Sequence, residues 1–209
     1  MTVLSDRDVN QLVERYAARF GQHGDDPRAL NIGDPEKYRR QHSVHAAVGP
    51  LDGATVLDIG CGLGYFYDFL RQHHNGVRYI GYDVVEPFID TNRKKFPEAT
   101  FRVVDISRDP ITDSYDYAIM CQVFNNRYKD ADNLEILKLA MEKSFSQARR
   151  AVSIDMLSTY VSYRDDNLYY FSPEIIFSIA KSMTPLVSLL HGYLDHHFTV
   201  QLFKEPAAA

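Results

Sequence analysis

The chain has 209 residues, 45% apolar and 12% aromatic, enough for one sizeable α/β domain with one core and too few for two ordinary domains. Its formal net charge of -5 offers no general attraction to nucleic acid or to an anionic membrane, and its two cysteines, Cys61 and Cys121, make neither a disulfide framework nor zinc-ligand spacing. The opening MTVLSDRDVNQLVERY has no apolar signal core and no run reaches the roughly 18 apolar residues of a membrane span, so a cytoplasmic protein, monomer or homodimer, is expected.

Residues 5 to 20 space Val9, Leu12, Val13, Tyr16, Ala17 and Phe20 as one face of a helix, with Ser5 and Asp8 resembling a cap. The polar segment from Gly21 to Pro35 reads as loop, and Glu36 to Val48 as a second helix stopped by Gly49-Pro50. From Thr55 strands and helices alternate. TVLDIG is a buried β-branched strand, Tyr65 to His74 a helix, VRYIGYD the second strand, and Glu86 to Phe96 a helix with Pro87 in its first turn. TFRVVDI, YDYAIMCQV and AVSIDML supply strands three to five, with a long helix from Ala131 to Arg150 before the fifth. Ser172 and Pro173 start a last helix running to Met183. Two final strands, Leu186 to Tyr193 and Phe198 to Phe203, are separated only by LDHH and can pair antiparallel. The alternation predicts a three-layer α/β domain over 51–205 with a mostly parallel sheet, preceded by a helical cap over 1–50. Ligand is expected outside the carboxyl ends of the central strands.

At such an end stands VLDIGCGLGYF, residues 56–66. Neither phase of its glycines fits the dinucleotide fingerprint, and the Gly-Lys-Ser/Thr of a phosphate loop is absent. Gly60 and Gly62 still allow a tight turn and close ligand approach. Asp58 beside a pyrophosphate would be repulsive, whereas beside an ammonium it is favourable. Asp83 ends strand two, where an acid can accept both ribose hydroxyl protons, and Val84 follows to lie against a purine. Asp105 ends strand three, placed to accept from an adenine amino group, with the Ile106 N–H facing a ring nitrogen. These residues suit an adenosine with a charged amino-acid tail and no phosphates, namely S-adenosylmethionine.

The sequence here resembles the class I S-adenosylmethionine-dependent methyltransferases, in particular small stand-alone bacterial members with a helical N-terminal cap. VLDIGCGLG is similar to their first motif, YIGYDVV to their second and FRVVDIS to their third, while YDYAIMCQVFN matches their fourth strand. The resemblance implies a Rossmann-like, seven-stranded sheet with its last strand antiparallel. It also implies that Asp58, Gly60 and Gly62, with Cys61 between them, surround the methionine portion, Asp83 the ribose, and Asp105 with Ile106 the adenine. Cys121 to Asn125, with Gln122 and Val123 among the cofactor candidates, then line the mouth where the methyl group is transferred. Tyr16 and Arg40 of the cap are further candidates against the cofactor, Arg40 as partner to its carboxylate.

The acceptor is less legible. No D/N-P-P-Y tetrad follows strand four, where QVFNN stands, and no nucleic-acid module is appended. A small-molecule acceptor methylated on O or N is the leading reading. An RNA or protein substrate, favoured by a basic surface of Arg39, Arg40, Lys94, Lys95, Arg149 and Arg150, and a non-catalytic cofactor-binding protein are the alternatives. If a proton must be removed, His42, Tyr160, Tyr163 and Asp165 are candidate bases. The last three lie in MLSTYVSYRDDNLYYF, 156–171, which reads as a substrate lid over the site. His42 and His45 share i, i+3 spacing, but no metal site is expected.

Overall fold

The computed structural model describes residues 3–206. Seven strands form one sheet in the order β3-β2-β1-β4-β5-β7-β6. Strands β1 (Thr55–Ile59), β2 (Arg78–Asp83), β3 (Thr100–Val103), β4 (Tyr117–Met120) and β5 (Ala151–Leu157) are parallel, and β7 (His197–Phe203) runs antiparallel to both β5 and β6 (Val187–Leu194). The expected three-layer sheet with an antiparallel last strand is therefore present. The sheet order reverses between β1 and β4, and this opens the crevice at their carboxyl ends.

Alternation along the buried strands sends side chains into two cores. Leu57, Ile59, Ala118, Met120, Val152 and Ile154 pack with α5 (Asn133–Gln147) and α6 (Pro173–Met183) on one face. Val56, Tyr79, Tyr117 and Ile119 pack with α3 (Tyr65–His73) and α4 (Glu86–Lys95) on the other, where Ala46 of α2 (Pro35–Ala46) joins them. The polar residues that interrupt the second set, Asp58, Ser153 and Asp155, therefore point towards the α2 side. Among the described residues no helix is long and apolar enough to cross a membrane.

The N-terminal region is more ordered than its polar composition suggests. Helix α1 (Asp6–His23) starts at Ser5, whose side chain accepts from the Asp8 N–H. Asp8 itself does not complete a capping box. Its buried carboxylate accepts from the N–H groups of Lys129, Asp130 and Ala131, fastening α1 to the loop that leads into α5. The segment read as loop, 21–35, contains the end of α1 and a 3-10 turn, Pro27–Leu30, capped by Asp26. Helix α5 begins at Asn133 rather than Ala131 because Asp132 accepts from the Leu134 and Glu135 N–H groups as its N-cap.

Candidate active site

The strand-end wall of the crevice is built on the glycine turn. The N–H groups of Gly60 and Cys61 both donate to the Tyr82 carbonyl, at 2.7 and 2.9 Å, closing the turn onto β2. Gly60 has φ +77°, and a Cβ there would sit 2.6 Å from Val123 Cγ2 on the far side of the crevice. Position 60 therefore requires glycine twice over, by conformation and by approach. Asp83 locks the same turn from the next strand: Oδ2 accepts from the Gly62 N–H at 2.8 Å and Oδ1 from the Val85 N–H at 2.9 Å. Each oxygen keeps a second lone pair. Burial raises the Asp83 pKa, against the lowering effect of those backbone donors.

Asp105 continues the wall. Its Oδ1 accepts from the Ser107 N–H and hydroxyl at 2.9 and 2.7 Å. Its Oδ2 is buried and has no hydrogen-bond partner, although Arg108 Nε stands 3.4 Å away. With only this long contact, the oxygen retains capacity to accept a further hydrogen bond.

The opposite wall follows β4. Cys121, Gln122 and Val123 line the crevice, with Gln122 at φ +59°, an uncommon conformation for a residue other than glycine. Asp155 holds it there, accepting from the Gln122 N–H, while the Gln122 side-chain amide donates to Gln41 Oε1 at 2.7 Å. Gln41 donates in turn to Asp155 Oδ2 at 2.7 Å. Desolvation opposes ionisation of Asp155, but the nearby His45 and His197 imidazoles and the Gln122 N–H hold its pKa below its ordinary value.

A roof comes from the N-terminal region: Leu4, Leu12 and Tyr16, then Leu30 on the 3-10 turn, Ile32, and Tyr38 of α2. The Tyr16 hydroxyl accepts from Asn126 Nδ2 at 3.2 Å, and Arg15 donates to Asn126 Oδ1 at 2.7 Å, which ties α1 to the end of the β4 wall. Sequence reading missed every roof residue but Tyr16. Leu30 and Ile32 were the available signal, two apolar residues in an otherwise polar connection.

Of the sequence-predicted cofactor residues, the crevice brings together Tyr16, Gly60, Gly62, Asp83, Val84, Asp105, Ile106, Cys121, Gln122 and Val123. Three others lie outside its lining. Asp58 faces the α2 side of the sheet, 2% exposed, where it accepts from the Tyr79 hydroxyl. Burial pushes its pKa up to about 7, so it does not stand in the wall as a free carboxylate. Cys61 is buried beside Asn92, and burial pushes its thiol pKa up. Arg40 points from the outer face of α2 and donates to the Tyr193 carbonyl at 3.2 Å, so it does not reach the crevice.

None of the four candidate bases reaches it either. His42 is 3% exposed and packed between Tyr38, at 4.1 Å between ring centroids, and Phe66, and burial lowers its pKa to about 3. Tyr160 and Tyr163 are 62% and 78% exposed, and the Tyr160 hydroxyl donates to Glu174 on α6. Asp165 is spent on its own loop, accepting from the Asn167 N–H at 2.8 Å. The 156–171 segment folds back on the sheet margin through bridges from Ser158 to Phe171 and from Leu168 to Asn126. Tyr160 and Tyr163 turn outward, Tyr169 packs against Phe171 and the core, and no residue of the segment lines the crevice.

With this geometry in view, the chain was compared with known proteins. A family model described as a methyltransferase domain matches residues 57–142, from the middle of β1 into α5. A Mycobacterium tuberculosis protein provisionally named a methyltransferase is 28% identical over 162 residues, covering 75% of this chain and 97% of its own. Magnesium protoporphyrin IX methyltransferase from Synechocystis PCC 6803, solved with bound S-adenosylhomocysteine, superposes with a TM-score of 0.67 at 17% identity, over 96% of this chain and 97% of that one. DhpI, solved as its S-adenosylhomocysteine complex, gives 0.71 at 14% identity over 98% and 100%. At these identities the two structures establish the fold, and the domain match falls on the strands that build the crevice. Residues 57–142 thus match a methyltransferase domain, within a chain that has the Rossmann-like fold of these solved methyltransferases.

Proposed function

We propose that the protein transfers a methyl group from S-adenosylmethionine to an O or N atom of a small-molecule acceptor. The observation that carries the cofactor is the pair of acids on one wall. Asp83 presents two oxygens already oriented by backbone N–H groups, which suits a ribose diol, and Asp105 presents a buried oxygen without a donor, which suits an exocyclic amine. No phosphate-binding element accompanies them. Bound there, S-adenosylmethionine supplies a methyl group activated by its sulfonium.

The residues of the chain position and exclude. Asp83 and Asp105 fix the nucleoside by hydrogen bonds, and Gly60 lets the chain approach it closely. Val84, Val123 and the apolar roof keep water from the crevice, where an in-line displacement depends chiefly on alignment. Asp58 is buried near Asp83, where desolvation raises the cost of its charge, and a cationic group bound nearby would offset that cost. Residues 1–50 serve as a cap, a reading supported by the roof that α1, the 3-10 turn and α2 contribute. With His42, Tyr160, Tyr163 and Asp165 away from the crevice, we assign no side-chain base.

A small acceptor is favoured over RNA or protein by the enclosed roof and by the pairing of the basic residues. Arg39, Lys95 and Arg149 each stand beside an acid, Glu36, Asp25 and Asp116. The test is to incubate the protein with methyl-labelled S-adenosylmethionine and, in parallel, pooled phenols and amines, bulk tRNA, and denatured protein. Label in the small-molecule pools supports the reading. Label confined to tRNA or protein rejects it.

A further inference from the structure

Beneath the β4 wall lies a cluster to which the proposed methyl transfer assigns no chemical step. His45 from α2, Cys121 from the end of β4 and Asp155 from β5 bring one donor atom each within 4.8 Å of the others. His45 and Asp155 are fully buried, while Cys121 also faces the crevice. His45 Nε2 lies 3.9 Å from Asp155 Oδ2, and Cys121 Sγ lies 4.0 Å from that same oxygen. His45 Nε2 has no hydrogen-bond partner.

That unpartnered nitrogen is the informative feature. His45 Nδ1 is engaged with Ser153 Oγ at 2.8 Å. If Nδ1 donates that bond, Nε2 turns a bare lone pair towards a carboxylate oxygen and a sulfur. If Nε2 carries the proton instead, its nearest acceptor lies beyond hydrogen-bond reach. With His45 and Asp155 both 0% exposed, either state is unfavourable, and a cation seated between the three atoms relieves both.

We propose that His45, Cys121 and Asp155 form a binding site for a borderline-soft divalent metal of the zinc class, with its fourth position open to the crevice. The donor set is one sulfur, one imidazole nitrogen and one carboxylate oxygen, which suits tetrahedral zinc or cobalt better than magnesium or calcium. Charge balances in the buried site, since a divalent cation meets one thiolate, one carboxylate and a neutral imidazole. Binding removes the thiol proton to solvent as the sulfur–metal bond forms. Tetrahedral zinc with bonds of about 2.0–2.3 Å separates its ligands by about 3.5 Å, so the two Asp155 edges contract by about half an ångström. A supporting shell is in place: Ser153 orients His45, and Gln41 and the Gln122 N–H orient Asp155. The three ligands come from separate elements, which explains why cysteine and histidine spacing along the chain gives no sign of the site.

The test is to strip the purified protein with a chelator and titrate it with cobalt(II) in the absence of any cofactor, following the absorption spectrum and proton release. The expected result is one cobalt per chain with a thiolate-to-cobalt charge-transfer band, intense tetrahedral visible bands and release of about one proton. Cys61→Ser keeps the band and Cys121→Ser loses it. His45→Gln, which leaves the sulfur in place, lowers affinity at least tenfold. Circular dichroism and urea unfolding of each variant report whether it has folded, independently of cofactor binding. Absence of the band in the wild-type protein, or an equal band in folded Cys121→Ser, overturns the proposal. So does an imidazole nitrogen spectrum showing His45 doubly protonated and unchanged by metal, which would make the cluster a simple imidazolium–carboxylate pair.

Discussion

The two sides of the crevice are made of different material. The strand-end wall consists of backbone amides and acids: a glycine at φ +77°, Asp83 gripping the Gly62 and Val85 N–H groups, an incompletely paired Asp105 and, beneath them, a buried Asp58. The roof consists of apolar and aromatic side chains from the N-terminal region, packed as an ordinary small core over Leu63, Val85 and Phe88. On the proposed reading the wall recognises the adenosyl portion of the ligand, and it carries desolvated charge to do so. The roof has no such fixed chemistry, so it is the part free to vary with the acceptor.

That contrast can be pressed, beginning with the largest effect. A buried Asp58 with a pKa of about 7, against 3.8 in an unfolded chain, holds its proton more tightly when folded. Its contribution to stability is full below about pH 4 and is lost as pH rises through 7, which corresponds to about 4 kcal/mol. Asp58→Asn removes that loss, so the variant gains stability over wild type in urea at pH 8 and much less at pH 5. An equal difference at both pH values would show that Asp58 carries no such cost.

Next is Gly60→Val, which places a β-branched residue at positive φ and drives it into Val123. We expect a loss of about 2–4 kcal/mol in urea unfolding and no measurable cofactor binding. A variant that binds as wild type does would show that position 60 does not require glycine. Asp83→Ala weakens S-adenosylhomocysteine binding by about 1–3 kcal/mol, because it removes both oriented acceptors and loosens the turn. The smallest effect belongs to the region outside both walls. Tyr160→Phe, at a position 62% exposed, shifts stability by less than about 0.5 kcal/mol and leaves cofactor affinity unchanged. Substantial loss of binding there would restore the 156–171 segment as a lid.

The same contrast decides what could be read from the amino-acid order. The wall was legible because each of its residues is fixed locally. TVLDIG must turn where its glycines fall, and an acid at the end of a parallel strand faces the same crevice as the acid ending the next. Asp58 shows where this fails. It precedes the turn by two residues, and strand alternation sends it to the α2 face with Val56 rather than into the crevice. The helical residues depended on rotation about an axis, which a short amphipathic pattern leaves open. On α2, Tyr38 faces the crevice, His42 sinks between Tyr38 and Phe66, and Arg40 turns out to β6. Leu30 and Ile32 were hidden in a polar connection, because their packing partners lie far away in sequence. The tyrosines of 156–171 were misread for the opposite reason: an aromatic cluster next to the site resembles a lid until the bridges at Ser158 and Leu168 pin it back.

The central claim is that the Asp83 and Asp105 wall holds an adenosyl ligand lacking phosphates. Its most direct test is calorimetric titration of the wild-type protein with S-adenosylmethionine, S-adenosylhomocysteine and, as control, NAD. The account predicts one-site binding of both adenosyl ligands and none of NAD. Binding of NAD in their place, or no binding of either adenosyl ligand to folded protein, would contradict it.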